Sequence, residues 1–170
     1  MTLAIEFAIE DERWTEAAPW YREVALRAAE SALSAAGVRP QDVEISALLC
    51  GDERIAALNA DFRGKPTPTN VLSWPAEETA PGDAPFTPED GFLGDVALAR
   101  ETIEKEAREQ HVTVEAHFAH LFAHGVLHLL GYDHETDAEA EVMEGVERQA
   151  LHAMGIADPY RSDLEALDNE

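Results

Sequence analysis

The sequence predicts an α/β (α+β) domain, and three observations carry that prediction. First, Leu3, Ile5, Phe7 and Ile9 alternate with polar or small residues, the period-two pattern of a strand with one buried face. Second, Val43–Cys50, ending in the apolar run Ala47-Leu48-Leu49-Cys50, and Leu93–Ala99 read as further strands. Third, five stretches with helical spacing or punctuation lie between and after these strands. A chain of 170 residues suits one domain with one sizeable core.

The elements follow in order. Pro19–Ala36 is expected to be a helix: Pro19 suits a first turn, Gly37 suits the position past the end, and Tyr21, Ala25, Ala28, Ala32 and Ala36 share a face. Asp52 is read as the cap of a short helix ending near Asp61. One glycine and two prolines make Phe62–Asn70 a loop, and Val71–Trp74 is a short strand. Pro75–Asp90 holds four prolines and several acids and is expected to be a long exposed loop with little fixed structure. Glu101–Gln110 reads as a polar-faced helix, and helices over Thr113–Leu130 and Ala138–Met154 close the chain. The domain is expected to span residues 1–160, with an acidic tail over 161–170.

Composition narrows the class. Hydrophobic residues make up 45%, the share of a globular chain. The opening residues show no basic stretch before an apolar run, so no secretory leader is expected. No apolar run reaches the roughly 18–20 residues of a membrane span, and a cytoplasmic location is expected. The single cysteine, Cys50, allows neither an internal disulfide nor a cysteine zinc site, and is read as a core residue at a strand end. Twelve basic against 35 acidic side chains give −23. Taken alone, such a charge argues against a nucleic-acid partner, because phosphate binding usually leaves a basic footprint.

Five of the seven histidines fall between His117 and His134. His124 and His128 are four apart in an apolar helix, so both project from one face, one turn apart. Gly131 follows three residues after His128 and suits a left-handed helix stop. The chain can then reverse and bring His134 back toward the same point. Any one of these histidines alone would be read as a packing residue. Three at offsets 0, +4 and +10 around that glycine read as ligands of one Zn²⁺ at the end of the helix. Three protein ligands leave a fourth position for water, the pattern of catalytic zinc, whose water acidifies to a pKa of about 7. Asp133 or Asp137 is expected to accept from the imidazole N–H groups. Thr136 and Glu139 fit a capping box that opens the last helix. His120, one turn before His124, is open to a supporting or a packing role; His111 and His152 have no such context.

The same offsets occur in the H-E-x-x-H-x-x-G-x-x-H signature of zinc metalloproteases, but Gly125 stands where their general-base glutamate would be. The segment His124-Gly-Val-Leu-His128-Leu-Leu-Gly-Tyr-Asp-His134 resembles instead the H-G-x-L-H-L-x-G-Y-D-H signature of the YbeY endoribonucleases. The resemblance continues through Leu58-Asn59, Phe62-Arg63-Gly64-Lys65 and Pro68-Thr69-Asn70-Val71-Leu72-Ser73-Trp74-Pro75, where the family often has Phe in place of Trp74. Leu93-Gly94-Asp95-Val96 and Asp158-Pro159-Tyr160 also fit. It implies a small mixed sheet packed with about five helices and one zinc on His124, His128 and His134. It further implies a single-strand-specific endoribonuclease acting in small-subunit (16S) rRNA maturation and ribosome quality control. The implied partners are single-stranded rRNA precursor and the small ribosomal subunit or its assembly proteins.

The family's functional arginine matches Arg63. A guanidinium can grip phosphate oxygens with paired hydrogen bonds and stabilise charge growing in a transition state. Lys65 is expected to add a looser substrate contact. Two other classes stay open at this point: a zinc hydrolase of a non-RNA substrate such as a peptide, and a non-catalytic ribosome-assembly factor with structural zinc. The missing glutamate argues against the first, and the lack of an evident fourth ligand argues against the second.

Overall fold

A computed structural model describes residues 2–38, 42–80 and 82–159, so the expected tail over 161–170 lies outside the described residues. Four strands form one mixed sheet: β1 (Leu3–Ile9), β2 (Val43–Cys50), β3 (Val71–Pro75) and β4 (Phe92–Ala99). The order is β1-β2-β4-β3. β1, β2 and β4 run parallel, while β3 pairs antiparallel with β4, Ser73 opposite Val96. The helices are α1 (Arg13–Ala17), α2 (Tyr21–Ala35), α3 (Asp52–Arg63), α4 (Arg100–Gln110), α5 (Val114–Leu129) and α6 (Asp137–Ala153). The α/β class, the four strands and the five expected helices are all present; α1 is an addition.

The apolar patterns explain the layering. The alternating residues of β1 and the inward side chains of β2 and β4 face α2 and α5, with Trp14, Leu33, Phe118, Phe122 and Leu127 filling the space between. Trp14 anchors the short α1 through its indole N–H, which donates to the Cys50 carbonyl at 2.8 Å. Tyr21, Ala25, Ala28 and Ala32 are buried as their shared face predicts, and small side chains there let α2 lie close to α5. α3 covers part of the opposite sheet face over Cys50, Leu72, Ala97 and Ala99.

Three local expectations are corrected. Pro19 precedes α2, which starts at Tyr21. Asp52 does not cap its own helix; it is the first residue of α3, after Gly51. Its carboxylate accepts from the Thr102 N–H at 3.1 Å and the Thr102 hydroxyl at 2.6 Å, while Glu101 accepts from the Asp52 N–H at 3.2 Å. Two adjacent helix starts thus cap each other, a pairing that needs both strands in place first. Finally, the proline-rich stretch is held against the body. The Ala76 N–H donates to Leu93 at 2.9 Å, the Phe86 N–H donates to Leu130 at 2.8 Å, and Pro88 is buried. Backbone bonds to β4 and to the end of α5 outweigh its polar composition.

Candidate metal centre and its cleft

α5 is capped by Thr113, whose hydroxyl accepts from the Ala116 N–H at 3.0 Å. Its apolar residues bury it along most of its length, and His124 and His128 emerge near its C-terminal end. Gly131 has φ of +99°, the left-handed stop expected from its position. A Cβ there would also stand 2.6 Å from the Thr79 hydroxyl, so the proline-rich loop needs glycine at this point. The Tyr132 N–H bonds back to Leu127 at 3.1 Å, reversing the chain. Asp133 accepts from the His134 N–H at 2.7 Å, and Thr136 caps α6 through the Glu139 N–H at 3.1 Å. The segment carrying His134 is therefore anchored at both ends.

This folding brings one ligand atom from each of His124, His128 and His134 within 4.8 Å of the others. The Nε2 atoms of His124 and His128 are 3.1 Å apart. Nitrogens bound at ~2.0–2.1 Å to a tetrahedral ion stand about 3.3 Å apart, so the pair fits that geometry. The opposite ring nitrogens decide the tautomers. His128 Nδ1 lies 2.9 Å from the Tyr132 carbonyl, which can only accept. His124 Nδ1 lies 3.2 and 3.3 Å from the two oxygens of Glu147. Both Nδ1 atoms therefore carry the proton and donate, and both Nε2 lone pairs face the same point. A proton shared between the two Nε2 atoms, or a cation held by both, would satisfy that 3.1 Å approach.

Glu147 is fully buried. Burial alone would raise its pKa, but hydrogen bonds from His120 (2.7 Å) and His124 lower it to about 2. It stays ionised and acts only as an acceptor. Burial pushes His128 down to about 4, with repulsion from His124 and His134 adding to the fall. The neutral imidazole, the form that binds a metal, is thus present at pH 7.

The three histidines open into a cleft of about 670 Å³. Its walls are residues 69–73 and Pro75 of the β3 segment, Glu78 and Thr79 of the proline-rich loop, and the turn from Gly131 to Glu135. Arg63 lies on the cleft as the last residue of α3, with Gly64 in the left-handed conformation behind it.

The match to known proteins follows this geometry. Residues 7–155 match the family described as Endoribonuclease YbeY. This chain belongs to the YbeY endoribonuclease family. It is 47% identical over 166 residues to the Endoribonuclease YbeY of Ruegeria pomeroyi, covering 93% of this chain and 98% of that one. The corresponding Dinoroseobacter shibae protein is 48% identical over 168 residues, covering 94% and 92%. A solution structure of a Thermotoga maritima protein superposes with a TM-score of 0.50 at 23% identity, over 95% of this chain and 100% of that one. That likeness bears on the fold alone.

The residues singled out from sequence are placed as follows. His124, His128 and His134 converge, and Arg63 shares their cleft. Lys65 is exposed and outside the cleft lining. Asp133 and Asp137 do not accept from the imidazoles; the Tyr132 carbonyl and Glu147 do. His120 joins Glu147, which favours the supporting role. His117 is buried and bonds to Glu106 at 2.8 Å, away from the three converging histidines. Gly125 faces the sheet, where a Cβ would meet Val96 at 3.0 Å and Val71 at 3.5 Å. A protease-type glutamate would have no room there.

Glu147 is the residue that sequence reasoning missed. Its signal was present: it occupies an apolar phase of α6 with Met143, Ala150 and Leu151. A carboxylate in a core stripe costs free energy unless it is paired, so it points to a buried partner.

Proposed function

We propose that this chain is a zinc-dependent, single-strand-specific endoribonuclease of small-subunit (16S) rRNA maturation and ribosome quality control. The observation that carries the reading is the convergence of the His124 and His128 Nε2 atoms with His134 on a cleft that Arg63 borders.

His124, His128 and His134 would hold the ion, with Glu147 and the Tyr132 carbonyl fixing the rings. Bound zinc supplies Lewis acidity and a water acidified to near pH 7. Arg63 pairs with non-bridging oxygens of the scissile phosphate and offsets the charge that grows there. Lys65 meets the strand outside the cleft. The preference for a single strand is carried over from the family resemblance.

The charge of −23 shapes the partner side of the proposal. Among the described residues, Arg63 is the sole Lys or Arg lining the cleft, which also carries Glu78, Asp133 and Glu135. Free RNA is therefore held weakly, and docking on the small subunit or an assembly protein raises the effective concentration of the strand. That partner places the work in the cytoplasm. Among the described residues, no helix is long and apolar enough to cross a membrane.

The test is cleavage of matched single-stranded and duplex RNA before chelation, after it, and after zinc is restored. Single-strand cleavage that tracks zinc is expected, with about one zinc per chain, lost in the His124→Ala/His128→Ala double variant. Full zinc occupancy in that variant, or undiminished cleavage after complete metal removal, would overturn the proposal.

A further inference from the structure

β3 is an edge strand, and its free edge is turned toward the cleft. In an antiparallel pair, the backbone groups of alternate residues turn to the partner and those between turn away. The Asn70 carbonyl accepts from Ala99 at 3.1 Å and the Ala76 N–H donates to Leu93 at 2.9 Å. Residues 70, 72, 74 and 76 therefore face β4. Val71, Ser73 and Pro75 turn their backbone groups outward. Consecutive residues from Thr69 to Ser73 all line the cleft. Side chains of a strand alternate between faces, so neighbours share a cleft only where it runs along the edge.

The outward donors on this edge are few. The Val71 N–H is taken by the Asn70 side chain at 2.7 Å. The Asn70 amide is itself held at 3.0 Å by Glu106, which also bonds His117, so this block is fixed in place. Pro75 has no N–H. The Ser73 N–H remains, without a partner among the described residues and on the same cleft as the three histidines and Arg63. An added peptide strand would need a repeating series of N–H and C=O groups along the edge. One donor among three positions does not make such a ladder. It suits a single anionic oxygen beside the Arg63 guanidinium.

We propose that the free edge of β3 binds the substrate strand, with the Ser73 backbone N–H donating to a non-bridging phosphate oxygen in the cleft. The inference rests on the endoribonuclease reading. Because the donor is a backbone group, it is pre-positioned by the sheet and needs no rotamer to be ordered when the strand arrives. Hydrogen bonds to charged groups are stronger than neutral ones, so its loss should cost on the order of tenfold to a hundredfold in cleavage rate.

The experiment compares Ser73→Pro with Ser73→Ala on short single-stranded RNA. Both variants lose the hydroxyl, and only Ser73→Pro loses the N–H. Edge strands tolerate proline, as Pro75 already shows in β3. Zinc content and thermal midpoint report whether each variant keeps its site and fold. Cleavage by Ser73→Pro should fall at least tenfold below that of Ser73→Ala. RNA with sulfur in place of one phosphate oxygen gives a second readout. Sulfur is a poor acceptor, so one diastereomer should be cut more slowly than the other by the parent chain and by Ser73→Ala, and that difference should shrink in Ser73→Pro. If proline unfolds the chain, an amide-to-ester exchange at residue 73 removes the same donor and is expected to give the same two results. Equal cleavage by folded Ser73→Pro and Ser73→Ala, or a diastereomer difference unchanged between them, would overturn the inference while leaving the ribonuclease reading intact. A parent chain that cuts no RNA would instead overturn the ribonuclease reading.

Discussion

Replacing Glu147 with glutamine tests whether a buried carboxylate sets up the metal centre. Glu147 Oε1 lies 2.7 Å from His120 and 3.2 Å from His124 Nδ1, and Oε2 lies 3.3 Å from the same Nδ1. Glutamine can keep one oxygen near both rings, but its NH₂ then stands where two donors face each other across about that distance. Turning the amide over leaves the His120 contact donor to donor instead. Either way the negative charge that enriches the His124 ring is gone. If His124 escapes the clash by moving its proton to Nε2, it removes the lone pair aimed at the ion. Loss of such a supporting partner typically weakens metal binding by about 10–100-fold, or roughly 1.4–2.8 kcal/mol. The assay is zinc competition against a chromophoric chelator at pH 7.5, with circular dichroism showing that the fold persists. A Glu147→Gln affinity within threefold of the parent would refute the claim that Glu147 orients His124.

Three further outcomes are expected. Arg63→Ala should keep its zinc and its thermal midpoint while losing on the order of 10²–10³ in RNA cleavage, the usual cost of one transition-state donor; cleavage within threefold of the parent would make Arg63 an ordinary exposed side chain. With one cation on the cleft among the described residues and Lys65 beyond it, one or two phosphates are neutralised, so log affinity for a short single strand should fall against log salt with a slope of roughly −0.7 to −1.4. A steep slope measured by titration would mean a wider basic surface. In metal-free protein, His128 has a folded pKa of about 4 against an ordinary 6.5, so between these values the unfolded chain binds more protons. Its contribution is therefore present above pH 6.5 and lost as the pH falls through 4, a change of roughly 3 kcal/mol. Denaturant midpoints that stay flat from pH 7 to pH 4 would contradict this.

The positions of the strands were legible because each buried face writes its period into the chain. Leu3–Ile9 and Val43–Cys50 coincide with β1 and β2. Gly131 was legible for a similar reason: few residue types enter the left-handed region readily, so the helix stop and the reversal toward His134 could be read from one glycine. Arg63 came from the family resemblance, since an exposed arginine at a helix end carries no local pattern of its own.

What the chain could not reveal are the contacts that depend on where separate elements finally lie. Asp52 looked like the cap of its own helix and instead caps α4, because proximity of the β2 and β4 ends decides its partner. The proline-rich stretch had the composition of a free loop, yet its backbone bonds to β4 and Leu130 make it a wall of the cleft. Glu147 lies 23 residues from His124, and the packing of α6 on α5 makes them neighbours. The order β1-β2-β4-β3 leaves β3 at an edge, and its register turns the Ser73 N–H outward. Sequence by itself determined the strand and helix periods, the helix stop and the spacing of the histidines, since these arise from side chains a few residues apart. Tertiary structure alone decided which carboxylate orients His124, which loop walls the cleft and which backbone donor stays open, since these arise from groups that meet only when the sheet and helices close on one another.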